Sequence, residues 1–183
     1  NEEKLASHFH IPLQSGSPEV LKLMRRRYKA SYYQELINKV TERIPEVGIG
    51  VDVIVGSPGE TEKHFLETYE FIKNLPVSYL HVFTYSQRPN TKAIEMDGHV
   101  DVVERKRRNN MLRILSDKKK NIFYRNMKDR KLNVLFEQNN KDGFMHGFAS
   151  NYVRVKMPYK EEMTNKFTEV RISEIENNIA LAE

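Results

Sequence analysis

Apolar residues recur along this chain with two different spacings, and the change from one to the other near residue 129 divides it. Before that point, β-branched or aromatic runs alternate with stretches of helical spacing. His8 to Leu13 reads as a short strand. Ser17, Pro18 and Glu19 then open a helix running to about Arg26, with a hydroxyl N-cap, a proline at the first helical position and a carboxylate near the dipole's positive end. Tyr33, Leu36, Ile37 and Val40 predict a helix over 32–43, which Pro45 stops before the β-branched run Val47 to Val55. Thr61 caps a third helix carrying Phe65, Leu66, Tyr69, Phe71, Ile72 and Leu75, and Pro76 ends it ahead of a strand from Val77 to Tyr85. Such alternation predicts parallel strands joined by right-handed crossovers. Three parallel strands leave edges and faces that βα proteins close with further repeats, so this part reads as half a barrel. Beyond a loop over 86–98, residues 101–127 predict a helix of about 40 Å at 1.5 Å per residue. Met111, Ile114, Leu115, Ile122 and Phe123 form its apolar stripe.

From Lys131 the pattern shortens to alternating runs at 132–138, 144–149, 152–157, 167–175 and 179–181, separated by polar turns. Five short strands of this kind predict a small all-β barrel of the oligonucleotide-binding type. The fold class is therefore α/β, a partial βα barrel over 1–128 followed by an OB-like barrel over 129–183.

Composition narrows the classes. A 183-residue chain with 39% hydrophobic residues can bury a real core. No apolar run approaches the roughly 20 residues that span a bilayer. The opening Asn1-Glu2-Glu3-Lys4 has neither an initiator Met nor an apolar targeting segment, so the expectation is a cytoplasmic protein whose chain begins mid-protein. Cysteine is absent, which excludes disulfides and thiolate metal sites within this chain. The net charge of +5 is local, because Arg105 to Lys131 holds twelve Lys or Arg against Asp117 and Asp129. That density suggests a polyanion bound through phosphates, or else a solvated helix face.

Four blocks in order carry a resemblance: His10-Ile11-Pro12-Leu13-Gln14-Ser15-Gly16-Ser17; Val20-Leu21-Lys22, Met24 and Arg26-Arg27-Tyr28; Asp52-Val53-Ile54-Val55-Gly56 with Pro58-Gly59-Glu60-Thr61; and Tyr85-Ser86, Arg88-Pro89, Thr91 and Ala93. Together they resemble the methylthiotransferases of the radical S-adenosylmethionine superfamily. Gly147-Phe148 and Asn151-Tyr152-Val153-Arg154-Val155 resemble the TRAM domain that ends such proteins. The resemblance implies an enzyme with two [4Fe–4S] clusters in the full-length parent, none bound by this fragment, which carries the last half of the radical barrel and the TRAM domain. It implies that the second cluster splits S-adenosylmethionine to a radical that takes a hydrogen from an adenine C2, which a methylthio group then replaces. The ribosomal-protein members carry Gln-His where this chain has Gln14-Ser15, which points to the tRNA branch. His8-Phe9-His10 and Leu80-His81-Val82-Phe83 look more like the members acting on threonylcarbamoyladenosine 37 than those acting on isopentenyladenosine 37. Ser57 departs from a usual aromatic, Asn90 from a usual glycine and Lys29 from a usual threonine, which leaves any hydroxyl cap of the second helix to Ser31.

Residue by residue, Gln14 and Ser15 end a parallel strand, on the rim where βα active sites are built, and offer polar groups to a ribose or carboxylate. Their bland alternative is a turn that satisfies backbone amides. Arg26 could clamp the cofactor carboxylate or simply complement a helix dipole. Gly56, Gly59 and Glu60 belong to a turn whose backbone can approach S-adenosylmethionine and whose helix-start amides can meet an anion. Asp52, in an apolar strand, must point into the barrel or find a donor. His8 and His10 share a face without a third ligand, so no metal site is expected. In the tail, period 2 puts Tyr152, Arg154 and Lys156 on one face for RNA, with Val153 and Val155 buried. Lys118, Lys119 and Lys120 join them as phosphate contacts. The expected partner is tRNA at adenosine 37, with no membrane and no protein partner evident. A competing reading is a non-catalytic RNA-binding module of the TRAM type.

Overall fold

A computed structural model describes residues 5–183; the opening Asn1–Lys4 lies outside the described residues. The elements in chain order are strand β1 (His8–His10), helices α1 (Pro18–Leu23) and α2 (Ala30–Arg43), β2 (Gly48–Val55), α3 (Glu62–Asn74), β3 (Tyr79–Thr84), α4 (Val102–Arg125), then β4 (Lys131–Phe136), β5 (Phe144–Ala149), β6 (Arg154–Pro158), β7 (Phe167–Glu176) and β8 (Ile179–Ala182). Spatially they fall into two compact units. One comprises residues 10–43 and 49–118; the other comprises the described residues up to Phe9, residues 44–48 and residues 119–183.

The first unit is α/β. Its sheet has the order β1-β2-β3, and β2 pairs in parallel with β3. Gln14 forms a parallel bridge to Val53 beyond the end of β1. The core is the apolar side of this sheet and the helices on it: Leu13, Val51, Val53, Ile37 and Phe65 are all fully buried. The long polar helix supplies more than a stripe. Ser116 Oγ accepts from Leu80 N at 2.8 Å and donates to Leu80 O at 3.2 Å, while Asn109 Nδ2 donates to Val82 O at 3.2 Å. The outer edge of β3 is thus satisfied by side chains of α4 rather than by another strand, which ends the sheet there.

Local chemistry explains where the elements depart from expectation. Helix α1 stops at Leu23 instead of near Arg26 because Arg25 takes φ +56° and the amides of Arg25 and Arg26 turn back to Lys22 O and Leu21 O, a Schellman closure. Ser17 stands at the N-cap position but makes no cap bond; its hydroxyl donates to Glu67 Oε2 at 2.6 Å. Ser31 lies inside α2 and cannot cap it. Thr61 does cap α3, in a reciprocal pair with His64 at 3.3 Å each way. Asn90 takes φ +63°, as a residue in place of glycine must.

The second unit is a closed five-stranded barrel of order β4-β5-β6-β8-β7, sealed by β4 pairing with β7. Alternation is clean: in β4 Leu132, Val134 and Phe136 are buried between exposed neighbours, and in β6 Val155 and Met157 are buried. Tyr124 and Met127 join this core. The apolar stripe expected along α4 is displaced. Ile114 and Ile122 are 48% and 60% exposed, while Arg108, Leu112, Leu115, Ser116, Tyr124 and Met127 are buried in and just beyond the helix. Two of the buried positions are polar because they answer backbone or charge partners, which a hydrophobic count cannot register.

Candidate functional site

In the α/β unit, the residues expected to meet a cofactor gather where β1 and β2 end. Gln14 is buried with φ +71°, and its Oε1 accepts from Arg26 at 3.2 Å. Ser15 is buried too, and its hydroxyl meets Thr68 Oγ1 at 2.9 Å while accepting from Ser17 N at 3.1 Å. The Ser15 side chain therefore ties this loop to α3. Asp52 finds its donor in His10, whose Nε2 stands 2.9 Å from Oδ1. Tyr33 donates to Ile11 O at 2.6 Å, and burial, the neighbouring Tyr28 and the Asp52 charge hold its hydroxyl pKa well above the usual value.

The glycine turn is closed by its own chain. Gly56 N donates to Glu60 Oε1 at 2.9 Å, Gly59 N to Gly98 O at 2.9 Å and Glu60 N to Ser57 O at 3.0 Å. The anion that meets the turn is thus Glu60 itself. Its side chain is 2% exposed and pairs with Arg108, 5% exposed, at 2.7 Å. Burial pushes the Glu60 carboxyl pKa up, opposed by the Gly56 amide and by Arg108. Arg108 also donates to Glu60 O at 3.0 Å and to Glu104 Oε1 at 2.8 Å. Arg107 bridges Glu62 and Glu104, and its hydrogen bond is the main reason the Glu104 carboxyl falls to about 2.

Both glycines have left-handed φ, +75° and +79°, and both are needed for packing. A Cβ at Gly56 would overlap Arg105 Cγ, and one at Gly59 would come within 2.8 Å of Leu23 Cδ1. What this region still offers a polar ligand is the amide nitrogen of Gln14, the second oxygen of Asp52 and the remainder of the Arg26 fork. Those groups fit the carboxylate, amine and ribose hydroxyls of a nucleoside cofactor. The chain contributes no thiolate, and among the described residues no group of three His, Asp or Glu could hold a metal ion.

On the barrel, Arg154 and Lys156 stand two apart on β6, Val153 and Val155 are fully buried, and Tyr152, before the strand with φ +66°, reaches the Phe148 ring at 5.5 Å rather than following the strand alternation. Arg154 is not a free cation. It makes a bidentate pair with Glu137 at 3.1 and 3.0 Å and lies 4.5 Å from the Phe148 ring centre. This pair lowers the Glu137 pKa, with Arg154 its main cause. Lys156 sits 4.0 Å over Phe144, and Tyr152 stacks on His8 at 4.1 Å. Register extends the surface into a row: Phe167 opposite Leu135, Leu135 opposite Phe148, Phe148 opposite Arg154. Phe167, Leu135 and Phe148 are 67%, 42% and 38% exposed.

The basic helix divides by role. Arg105 is engaged by Val100 O and Tyr85 O, and Arg107 and Arg108 by carboxylates. Lys118 is exposed, Lys120 lies over the Tyr124 ring at 5.5 Å, and burial lowers the Lys119 pKa to about 8.

Nothing local in the sequence singles out Arg108, Glu104, Glu137 or Phe167 as site residues. Arg108 was hidden in a charge run, although its i−4 spacing from Glu104 is a readable signal. Phe167 was masked because alternation alone does not say which aromatics face out.

Comparison with known proteins bears on all of this. Residues 2–72 match the family model of the radical SAM superfamily. The chain is 37% identical over 174 residues to threonylcarbamoyladenosine tRNA methylthiotransferase MtaB of Bacillus subtilis, covering 93% of this chain and 39% of that protein. It is 47% identical over 116 residues to the protein of the same name from Aquifex aeolicus, covering 63% of this chain and 28% of the relative. It is 36% identical over 177 residues to tRNA-2-methylthio-N(6)-dimethylallyladenosine synthase of Endomicrobium trichonymphae, covering 97% of this chain and 42% of the relative. The chain thus spans about two fifths or less of the length of these relatives, and over that span it is similar to the methylthiotransferases of the radical SAM superfamily.

Proposed function

We propose that this chain is the C-terminal part of a tRNA methylthiotransferase, with residues 1–128 as the last half of a radical barrel and 129–183 as a TRAM domain. The whole protein would act in the cytoplasm and add a methylthio group to C2 of N6-threonylcarbamoyladenosine 37. The observation that carries this reading is the identity, 37% over 174 residues and 47% over 116, to two relatives named threonylcarbamoyladenosine tRNA methylthiotransferase. The half-barrel reading is supported by a sheet that α4 terminates at β3, leaving β1 as the side on which further strands would add.

When bound, the cofactor supplies the one-electron chemistry that an unreactive C–H bond requires. This chain's residues bind and orient. Gln14, Ser15 and Asp52 line the rim, Arg26 meets a carboxylate, and Gly56, Gly59 and Glu60 form a wall made stiff by Arg108. The two clusters rest on cysteines outside this chain, so the chain by itself is inactive. Tyr152, Arg154 and Lys156, with Lys118, Lys119 and Lys120, hold tRNA through stacking and phosphate contacts.

A second substrate has specific support. The dimethylallyladenosine relative is 36% identical over nearly the whole chain, so isopentenyladenosine 37 is the alternative target. Mass spectrometry of tRNA nucleosides from cells with and without the gene decides. Loss of methylthio-threonylcarbamoyladenosine supports the main reading, loss of the isopentenyl counterpart moves the protein to the sister branch, and no change in either favours a non-catalytic RNA-binding module.

A further inference from the structure

Helix α1 and the loop beyond β3 line an open cleft of about 770 Å³ in the α/β unit. Glu19 and Lys22 reach it from α1, Arg25 from the turn that closes that helix, and Lys92 and Glu95 from the short 3-10 turn at Lys92–Ile94 and the residue after it. All five are exposed, whereas Met24, Ala93 and Met96, which also line the cleft, are half-buried. Both walls lean on the glycine turn. Gly59 N donates to Gly98 O at 2.9 Å, and Leu23 Cδ1 stands 2.8 Å from where a Cβ on Gly59 would lie. The cleft therefore opens beside that turn without using Gln14, Arg26 or Asp52.

Among the described residues, none of these five charges is held in an ion pair. Arg107 and Arg108 of α4 are engaged by carboxylates, but Lys22, Arg25 and Lys92 keep their donors for a ligand. Three cations against two carboxylates attract one anionic group, while a polyphosphate would also meet Glu19 and Glu95 with like charge. A wholly apolar substituent would cover these charges without bonding any of them. A carboxylate joined to a hydroxyl and a short aliphatic part suits every wall. Lys and Arg donate to the carboxylate, Glu accepts from the hydroxyl, and Leu23 and Met96 cover the methyl group.

We propose that this cleft receives the threonyl arm of the modified base, with Lys22, Arg25 and Lys92 on its carboxylate, and so selects threonylcarbamoyladenosine over the isopentenyl counterpart. This rests on the reading that the protein acts on that nucleoside, and it makes the three cations specificity-determining residues. The methionine part of S-adenosylmethionine also carries a carboxylate, and the experiment separates the two sources.

Using the intact protein, binding is measured to fluorescein-labelled RNA hairpins whose loop carries threonylcarbamoyladenosine, its methyl ester or isopentenyladenosine, and separately to S-adenosylhomocysteine. The variants are Lys22→Gln, Arg25→Asn, Lys92→Gln and the three together. Asparagine tolerates the φ of +56° at residue 25, and at these exposed positions the thermal midpoint should not move. Wild type should prefer the acid to its ester, which lacks the negative charge. Each single variant should weaken binding of the acid about 2- to 5-fold, as loss of one exposed ion pair does, and the triple variant about tenfold or more, erasing the preference. Binding of the ester, the isopentenyl hairpin and S-adenosylhomocysteine should not change. Equal weakening for all three hairpins would make the cations phosphate contacts and overturn the proposal. Weaker S-adenosylhomocysteine binding with the preference for the acid intact would give the cleft to the cofactor and overturn it too. A triple variant that binds every probe as wild type does would overturn the site and leave the substrate reading standing. A wild type that prefers the isopentenyl hairpin to the acid would instead sink the substrate reading itself, and this site with it.

Discussion

Replacing Arg108 by Met tests whether the buried pair on α4 holds the glycine turn. Arg108 has three short contacts, to Glu60 Oε1 at 2.7 Å, Glu104 Oε1 at 2.8 Å and Glu60 O at 3.0 Å. Met fills similar volume but leaves the Glu60 carboxylate, 2% exposed, with the Gly56 amide as its remaining partner among the described residues. Orphaning a buried charge of this kind costs about 3–5 kcal/mol. With a urea slope of about 2 kcal/mol/M, the unfolding midpoint should drop by about 2 M. The sign of the pH dependence follows from Glu60. Burial already raises its pKa in the folded state, and removing Arg108 raises it further, so the folded variant binds a proton that the unfolded chain releases. The deficit of Arg108→Met should therefore be largest above that folded pKa and shrink as pH falls through it. Adding Glu60→Gln should recover most of the loss, since no buried charge then remains. Urea unfolding followed by circular dichroism at pH 8 and pH 5 measures all three. A loss below about 1 kcal/mol at pH 8, or a double variant no better than the single, would refute the claim that an unpaired Glu60 is what the substitution costs.

Gly56→Ala and Gly59→Ala should differ. Both incur the roughly 1–2 kcal/mol of a left-handed alanine, but the Cβ at 56 meets the first methylenes of Arg105 while that at 59 meets the end of Leu23, so thermal melts should show Gly56→Ala as the more damaging; equal losses would contradict the packing. The Glu104 carboxyl, held near 2 by Arg107 against an ordinary value of 4.5, contributes stability that is fully present above about 4.5 and lost as pH falls toward 2, so Glu104→Gln should flatten the acid limb of a stability profile, an effect made modest by solvent screening. Charge reversal at Lys118, Lys119 and Lys120 should weaken tRNA binding and shrink the log-log salt slope by about 0.7 to 0.9 per lost phosphate contact. Because the Lys119 pKa is lowered to about 8, part of the wild-type slope should already vanish between pH 7 and 9. Unchanged binding at low salt would show that the helix face is merely solvated.

Much of this architecture is legible along the chain because its determinants are local. Period 2 in β4 and β6, the proline stops at Pro45 and Pro76 and the Thr61 cap act through neighbours in sequence, and the elements they define are close to those observed. Asp52 announced itself as a charge in an apolar strand that needed a donor. Which donor was a matter of tertiary structure: His10 is far from it in sequence and beside it only because β1 and β2 adjoin. The same holds for Glu60. By spacing it belongs to a ligand-binding turn, but 48 residues later the chain returns with Arg108, and the turn's amide and carboxylate close on each other.

Serine hydroxyls make the point again. Ser17 and Ser116 are interchangeable as cap or surface residues on local grounds, yet one reaches Glu67 and the other seals the edge of β3. The exposed Ile114 and Ile122 show the converse, that apolar spacing selects a helix without selecting which side of it is covered. Sequence alone determined which segments form strands and which form helices, because those choices depend on a few adjacent residues. Only the tertiary structure decided the partners of the buried charges and hydroxyls, because a group removed from water must be satisfied by whatever the fold brings within about 3 Å.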